Sequence, residues 1–144
     1  MVEKARKEDV GSIVEMEKIC FDRDAWPLKV FEEELSGGAA RRATIVRDAR
    51  GGVIAYCFSR IFIDAMEIFK IAVHPVHRRK GLAKLLLRDA LECLKSGTIS
   101  LEVATDNKEA IMLYCEFGFR RVAVRKNYYQ GSGRDALVME MKVG

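Results

Sequence analysis

The sequence predicts one mixed α/β layer structure of seven strands and four helices, with residues 1–144 as a single domain. Three observations carry that reading. Short apolar runs bounded by Gly, Pro, Asn and Asp have the length and β-branched content of strands. Between them lie segments whose apolar residues recur at the helical period. The two kinds follow one another as strand, two helices, three strands, helix, strand, helix, two strands, with no internal repeat, linker or low-complexity stretch. A chain of 144 residues is long enough to bury one core and fits one ordinary domain.

Each element has its own signal. Val2 to Ala5 is a short strand candidate, and Glu8 to Cys20 sets Val10, Ile13, Val14, Met16, Glu17 and Cys20 on a helical period. "DRDAWP" ends that helix, because Pro27 holds Trp26 in extended geometry. A second helix runs from Leu28 to about Leu35 and stops at Gly37 and Gly38. Arg42 to Arg47 and Val53 to Arg60 flank "DARGG", a hairpin signal, and Met66 to Val73 is a further strand. Gly81 to Lys95 carries Ala83, Leu86, Leu87, Ala90 and Leu94 along one helical face, and Ile99 to Ala104 reads as a strand. Asp106 or Asn107 caps a helix reaching Glu116, and Gly118 suits its left-handed C-terminal position. Phe119 to Arg125 and Ala136 to Lys142 are the last strands, joined by the polar "KNYYQGSGRD".

Composition narrows the class. The chain is 49% apolar and 32% charged, as expected of a folded protein. Its apolar runs fall far short of the ~20 residues that cross a bilayer. Its N-terminus lacks the apolar core of a secretory signal. Cys20, Cys57, Cys93 and Cys115 are widely spaced without a C-x-x-C pair, so the expectation is reduced, buried thiols in a cytoplasmic protein, with neither zinc nor disulfides. His74 and His77 lie three apart without a carboxylate partner, and no metal site is expected there.

Charge is concentrated in one place. Six Lys or Arg and no Asp or Glu lie between Ile68 and Arg88, while the whole chain holds 25 basic and 21 acidic residues. Outside that stretch the chain is slightly acidic. The basic segment leads from the strand "IAV" through "HPVHRRKGLA" into a helix, which has the parts of an anion site. The first amides of a helix lack internal partners and sit at the positive end of its dipole. Gly81 lacks the Cβ that would block close approach, Ala83 is small, and Arg78, Arg79 and Lys80 add charge beside those amides. Such a turn suits a pyrophosphate, yet it matches neither the mononucleotide P-loop nor the dinucleotide glycine fingerprint.

"IAVHPVHRRKGLAKLLL" resembles the acetyl-coenzyme A signature of the GNAT superfamily of N-acetyltransferases, R/Q-x-x-G-x-G/A, here Arg78-Arg79-Lys80-Gly81-Leu82-Ala83. "LEVATDNKEAIMLYCEFGF" resembles the N-x-x-A-x-x-L-Y-x-x-x-G-F helix of the same family. "RKNYYQGSGRDALVMEM" is similar to the C-terminal hairpin of the subgroup that acetylates protein N-termini, which includes the RimI-type ribosomal-protein alanine N-acetyltransferases. The resemblance implies a central mixed, mostly antiparallel seven-stranded sheet with about four helices. It implies acetyl-coenzyme A as co-substrate, its acetyl and pantetheine arm held by the backbone of Ile71, Ala72 and Val73. Arg78, Arg79, Lys80, Gly81, Leu82, Ala83 and Lys84 would take its pyrophosphate, and Asn107 would bind the coenzyme from the start of the next helix.

Acetyl transfer needs a neutral amine, a steadied oxyanion and a proton for the departing thiolate. A free α-amine, with a pKa near ~7.7–8.0, meets the first demand far more easily than lysine at ~10.4. Glu102 and Tyr114, twelve residues apart, match the base and acid of the RimI-type pattern. Glu102 interrupts an apolar strand, where burial would raise its pKa; Tyr114 lies on the last helix with its hydroxyl available to the coenzyme sulfur. Leu101 and Val103 would face the other side of that strand, and Cys115 reads as packing.

The acceptor site is expected between "CFDRDAWPLKVF", with Asp24 and Trp26, and the final hairpin, with Tyr128 and Tyr129. The resemblance implies that these loops pinch an extended protein N-terminus, such as that of a ribosomal protein. Trp26 fits core and pocket equally, and Asp24 could assist or replace Glu102 as base. Other readings stay open: a same-fold enzyme acting on a lysine or a small amine, a non-catalytic coenzyme A-binding module, or a nucleic-acid-binding module. The last is weakened by confinement of the cations to one turn and helix, so no direct nucleic-acid or membrane partner is expected. The oligomeric state is not legible.

Overall fold

The computed structural model describes residues 1–144. Its elements are β1 (Val2–Lys4), α1 (Val10–Phe21), α2 (Leu28–Leu35), β2 (Arg41–Arg47), β3 (Val53–Ile61), β4 (Ala65–Val73), α3 (Leu82–Leu91), β5 (Gly97–Ala104), α4 (Lys108–Phe117), β6 (Arg120–Tyr129) and β7 (Arg134–Val143). The seven strands form one sheet in the order β1-β2-β3-β4-β5-β7-β6. Every pairing is antiparallel except β4 with β5. The expected mixed, mostly antiparallel seven-stranded sheet with four helices is what the chain forms.

Helices cover both faces. Leu86, Leu87, Ala90 and Leu94 from the α3 segment and Ile111 and Tyr114 from α4 pack with Ile68, Ile99, Leu101 and Val103 on one face. Ile13 and Met16 of α1 and Phe31 of α2 pack with Ile45, Tyr56, Phe58 and Ala72 on the other. Alternation along each strand divides its residues between these two cores. At a fully buried residue such as Leu86 or Phe31, removing the side chain would cost about 2–5 kcal/mol.

Three differences from the sequence reading bear on the site. Helix α3 ends at Leu91, not Lys95, because Cys93 and Leu94 donate to carbonyls only three residues back, tightening the last turn. Leu94 nonetheless stays buried, which is why the apolar period ran on. The final hairpin is longer than expected: β6 continues through Tyr129 and β7 begins at Arg134. Asn127 adopts a positive φ of 51°, its amide donates to Asp135 Oδ1 at 2.9 Å, and pairing resumes at Tyr129 opposite Arg134. Lastly, β4 carries a bulge at Phe69, since Phe58 pairs with Lys70 and Ser59 with Ile68. One extra residue turns every later side chain to the opposite face. Met66 and Ile68 therefore lie in the α3–α4 core, whereas Ala72 lies in the α1–α2 core.

Candidate active site

The parallel pairing of β4 and β5 runs only from Ala65 opposite Thr98 to Ile68 opposite Leu101. Beyond it the strands part, leaving the Ile71–Val73 edge of β4 and the Glu102–Ala104 edge of β5 facing a gap. Two cavities open into that gap. A groove of about 470 Å³ runs along Ile71, Ala72 and Val73 to the start of α3. A smaller cavity of about 180 Å³ lies between the α1–α2 loop, β4, β5 and the β6–β7 hairpin. Both are lined by Cys20, Phe21, Ile71, Asn107, Ala110 and Tyr114, so the cavities meet there.

The groove collects the expected coenzyme-binding residues with one exception. Arg78, Arg79, Gly81, Leu82, Ala83 and Lys84 line it, as do Ile71, Ala72, Val73 and Asn107; Lys80 does not. The turn is built by left-handed backbone at Arg79 (φ 64°) and Gly81 (φ 80°). At Gly81 a Cβ would meet nothing within 4 Å, so glycine is required by its dihedral angle and not by crowding. Arg78 is tethered by its Nε to the Val73 carbonyl at 3.1 Å. Arg79, 87% exposed, reaches Glu109 only at 3.5 Å and is free to turn toward an anion. Asn107 caps α4 through Oδ1, which accepts from the Ala110 amide at 3.3 Å. His74 Nδ1 accepts from the Val76 amide at 3.2 Å and helps shape the same loop.

The second cavity brings Asp24, Trp26, Glu102, Tyr114, Tyr128 and Tyr129 together, although they come from three distant parts of the chain. Tyr114 is buried against Phe119. Burial, with the nearby Cys57 and Tyr129, raises its hydroxyl above the ordinary tyrosine range. The expected burial of Glu102 is not found: its side chain is 27% exposed and faces Arg125 Nη1 at 3.4 Å. The Tyr128 hydroxyl stands 3.5 Å from the same carboxylate. The strand alternation that buries Leu101 and Val103 turns Glu102 to the other face of the sheet, where it lines the smaller cavity. Tyr128 and Tyr129 meet edge to face at 5.0 Å. Burial pushes Tyr129 up to about 12, with Tyr128 the next cause.

Asp24 has a structural task. Its carboxylate accepts from the Ser132 amide (3.0 Å), the Ser132 hydroxyl (2.7 Å) and Arg134 Nη2 (3.0 Å), tying the α1–α2 loop to the hairpin. A Cβ on Gly131 would fall 2.0 Å from the Arg23 carbonyl, so only glycine permits that contact. Partial burial pushes the Asp24 pKa up, but the bonds from Ser132 and Arg134 outweigh it and hold the carboxyl below the usual range. Trp26 serves both expected roles, packing on Phe31 and Phe58 while lining the cavity.

The sequence reading missed the pair Glu17 and Lys70. Glu17 is fully buried and accepts from the Tyr56 hydroxyl (2.5 Å), Lys70 Nζ (2.5 Å) and the Trp26 amide (2.9 Å). Burial lowers the Lys70 pKa against the opposing pull of Glu17. A glutamate on the apolar face of a helix was the available signal; nothing local pointed to its lysine 53 residues away. The cysteines also depart from expectation. All four are free, but Cys93 and Cys115 are exposed; Cys115 follows Tyr114 on α4 and so turns about 100° off the core face.

Residues 10–119 match the acetyltransferase (GNAT) family. The chain belongs to this family. It is an acetyltransferase of this family. Over 91% of its length it is 38% identical to an uncharacterized Mycobacterium leprae protein, of which it spans only 37%. It is 34% identical to the putative ribosomal protein bS18-alanine N-acetyltransferase of Bacillus subtilis, across 96% of this chain and 92% of that one. The crystal structure of the ribosomal-protein-S18-alanine N-acetyltransferase from Escherichia coli superposes with a TM-score of 0.88 at 26% identity, covering 100% of this chain and 94% of that one.

Proposed function

We propose that this chain, as one domain over residues 1–144, transfers acetyl from acetyl-coenzyme A to the N-terminal α-amine of a protein, a ribosomal protein in the first instance. The observation that carries the reading is the meeting of the two cavities at Tyr114, Asn107 and Ile71. One cavity, of about 470 Å³, carries the cations for a nucleotide-bearing thioester. The other is narrow, aromatic and walled by a clasped hairpin, dimensions that suit the end of a peptide.

In this reading the Ile71–Val73 edge holds the acetyl and pantetheine arm. Arg78, Arg79, Gly81, Leu82, Ala83 and Lys84 hold the pyrophosphate, with Lys80 adding only long-range charge. The neutral α-amine attacks the thioester carbonyl directly, the C–N bond forms, the C–S bond breaks, and no acetyl-enzyme intervenes. Glu102 takes the proton lost by the amine, directly or through one water. Tyr114, protonated at neutral pH as tyrosines are and held so more firmly by burial, gives its proton to the departing thiolate. The engagement of Asp24 with Ser132 and Arg134 makes it a poor substitute base. No helix is long and apolar enough to cross a membrane, and a cytoplasmic setting fits the four free thiols.

The test is steady-state release of coenzyme A with short peptides differing in their first residue, each beside an N-blocked peptide containing lysine. Turnover confined to free N-termini, strongest for alanine or serine, is expected. Turnover of the blocked lysine peptide would move the function to side-chain or small-amine acetylation.

A further inference from the structure

Lys70 has an unusual setting for a lysine in a substrate cavity. Its Nζ lies 3.9 Å from the centre of the Phe21 ring and 4.4 Å from that of Trp26. It donates to the buried Glu17 at 2.5 Å, and its side chain is only 9% exposed. Two aromatic faces and a carboxylate around one ammonium are the components with which proteins recognise cationic ligands. Here the cation comes from the chain itself, and Phe21, Trp26 and Lys70 all line the acceptor cavity.

The placement depends on the bulge at Phe69. With regular pairing Lys70 would share a face with Met66 and Ile68 and enter the α3–α4 core; the extra residue turns it onto the α1–α2 side, opposite Phe58. There Glu17 awaits it, held also by Tyr56 and by the Trp26 amide of the acceptor loop. Without a cation, the Glu17 carboxylate would be buried with only neutral donors.

We infer that Lys70 is a specificity-determining residue: its ammonium fills a cation site at the floor of the acceptor cavity and thereby excludes acceptors that bring a second positive charge or a long side chain there. This deepens the reading of an N-terminal acetyltransferase and rests on it. The accepted class is then an α-amine followed by a small uncharged side chain. Polyamines and N-terminal lysine, which would need the same aromatic and carboxylate groups, are turned away by a charge already seated.

The experiment removes the internal cation in two ways. Lys70→Ala leaves Glu17 and the aromatic faces around an open space. In that variant kcat/KM for spermidine and for a lysine-led peptide, relative to an alanine-led peptide, should rise by about tenfold or more, the size of one charge-assisted hydrogen bond. Its melting temperature should recover with millimolar n-propylammonium but not with n-propanol. The double variant Glu17→Gln/Lys70→Ala opens the space without charge. It should gain turnover of methionine-led peptides and show neither the cationic gain nor the recovery by propylammonium. An unchanged acceptor ranking in Lys70→Ala, or no recovery by the ammonium, overturns the inference. Should Lys70→Ala not fold, the double variant decides alone, and an unchanged ranking there has the same force. Failure of the parent chain to turn over the alanine-led peptide would instead remove the N-terminal reading, while the melting experiment would still report whether the cation site exists.

Discussion

The proposed coenzyme groove and the proposed acceptor cavity are adjacent, share a junction, and are built on opposite principles. The groove is local: its anion-binding part is one turn and the helix after it, Arg78 to Lys84. Its charges stay in water, as in the 3.5 Å approach of Arg79 to Glu109 and the 3.6 Å approach of Lys84 to Glu116. Exposed pairs of this kind contribute roughly 0–1 kcal/mol each, so in the proposed reading an anion there is held by summed field and helix-start amides. The acceptor cavity is assembled from β4, β5, the α1–α2 loop and the hairpin, and the ion pair at its floor is desolvated. Glu17 and Lys70 are 0% and 9% exposed. Removing one partner of such a pair leaves a buried charge, which costs several kcal/mol. A cosubstrate common to many enzymes can be held by adjustable surface charge, whereas discrimination among amines needs groups that cannot move.

The sharpest test of the comparison lies at the junction. Tyr114→Phe should lower kcat by about 10²-fold or more, the usual worth of a positioned acid, with coenzyme affinity nearly kept. Glu102→Gln should lower kcat in the same assay by about a hundredfold, the low end for a positioned base, because a free α-amine is already partly neutral. Unchanged rates in both variants would remove the catalytic assignment. Both are read by steady-state kinetics beside direct coenzyme binding.

Next comes the clasp. Asp24→Asn weakens the bonds to Ser132 and Arg134 and should cost about 1–3 kcal/mol of stability, with KM for the peptide raised more than KM for acetyl-coenzyme A. The pH dependence has a definite sign. Partial burial raises the pKa of Asp9 and of Asp24, but Arg47 and Arg6 at Asp9, and Ser132 and Arg134 at Asp24, more than offset it, so both are held below ordinary carboxylates. The stability they contribute is therefore complete above the unfolded-state value near ~3.9 and is lost as pH falls through the depressed folded values. Melts between neutral and acid pH should show this loss, and Asp24→Asn should make it shallower.

The smallest effect belongs to the groove. Arg79→Gln should raise KM for acetyl-coenzyme A by only about two- to fivefold, a difference that shrinks as salt screens the exposed charge. A large, salt-insensitive effect would show that Arg79 is buried against the coenzyme, and the contrast between the two cavities would then lose one side.

The difference between local and assembled sites also explains what could be read from residue order. The anion turn was legible because its parts are contiguous: an apolar strand, cations, a glycine with φ 80°, and an amphipathic helix. Asn107 and Gly118 were legible for the same reason, since helix caps are local chemistry, and both take the cap positions expected of them. Tyr114, Glu102, Tyr128 and Tyr129 were found through resemblance, and the fold brings them to one cavity. Exposure of Glu102 was not foreseen, because alternation says which face a side chain takes and not whether a helix covers that face.

By itself, then, the sequence determined the element order, the basic turn before α3 and the two caps of α4, all of which depend on interactions within a few residues. Only the tertiary structure decided the parting of β4 from β5 after Ile68, the clasp of Asp24 on Ser132 and Arg134, and the burial of Lys70 against Glu17. The bulge at Phe69 shows why. A strand's side-chain period is two, so one extra residue exchanges its faces, and nothing in "EIFKIAV" states where pairing with β3 slips. Hydrogen-bond register is a property of two strands at once, and the charge at the floor of the acceptor cavity follows from it.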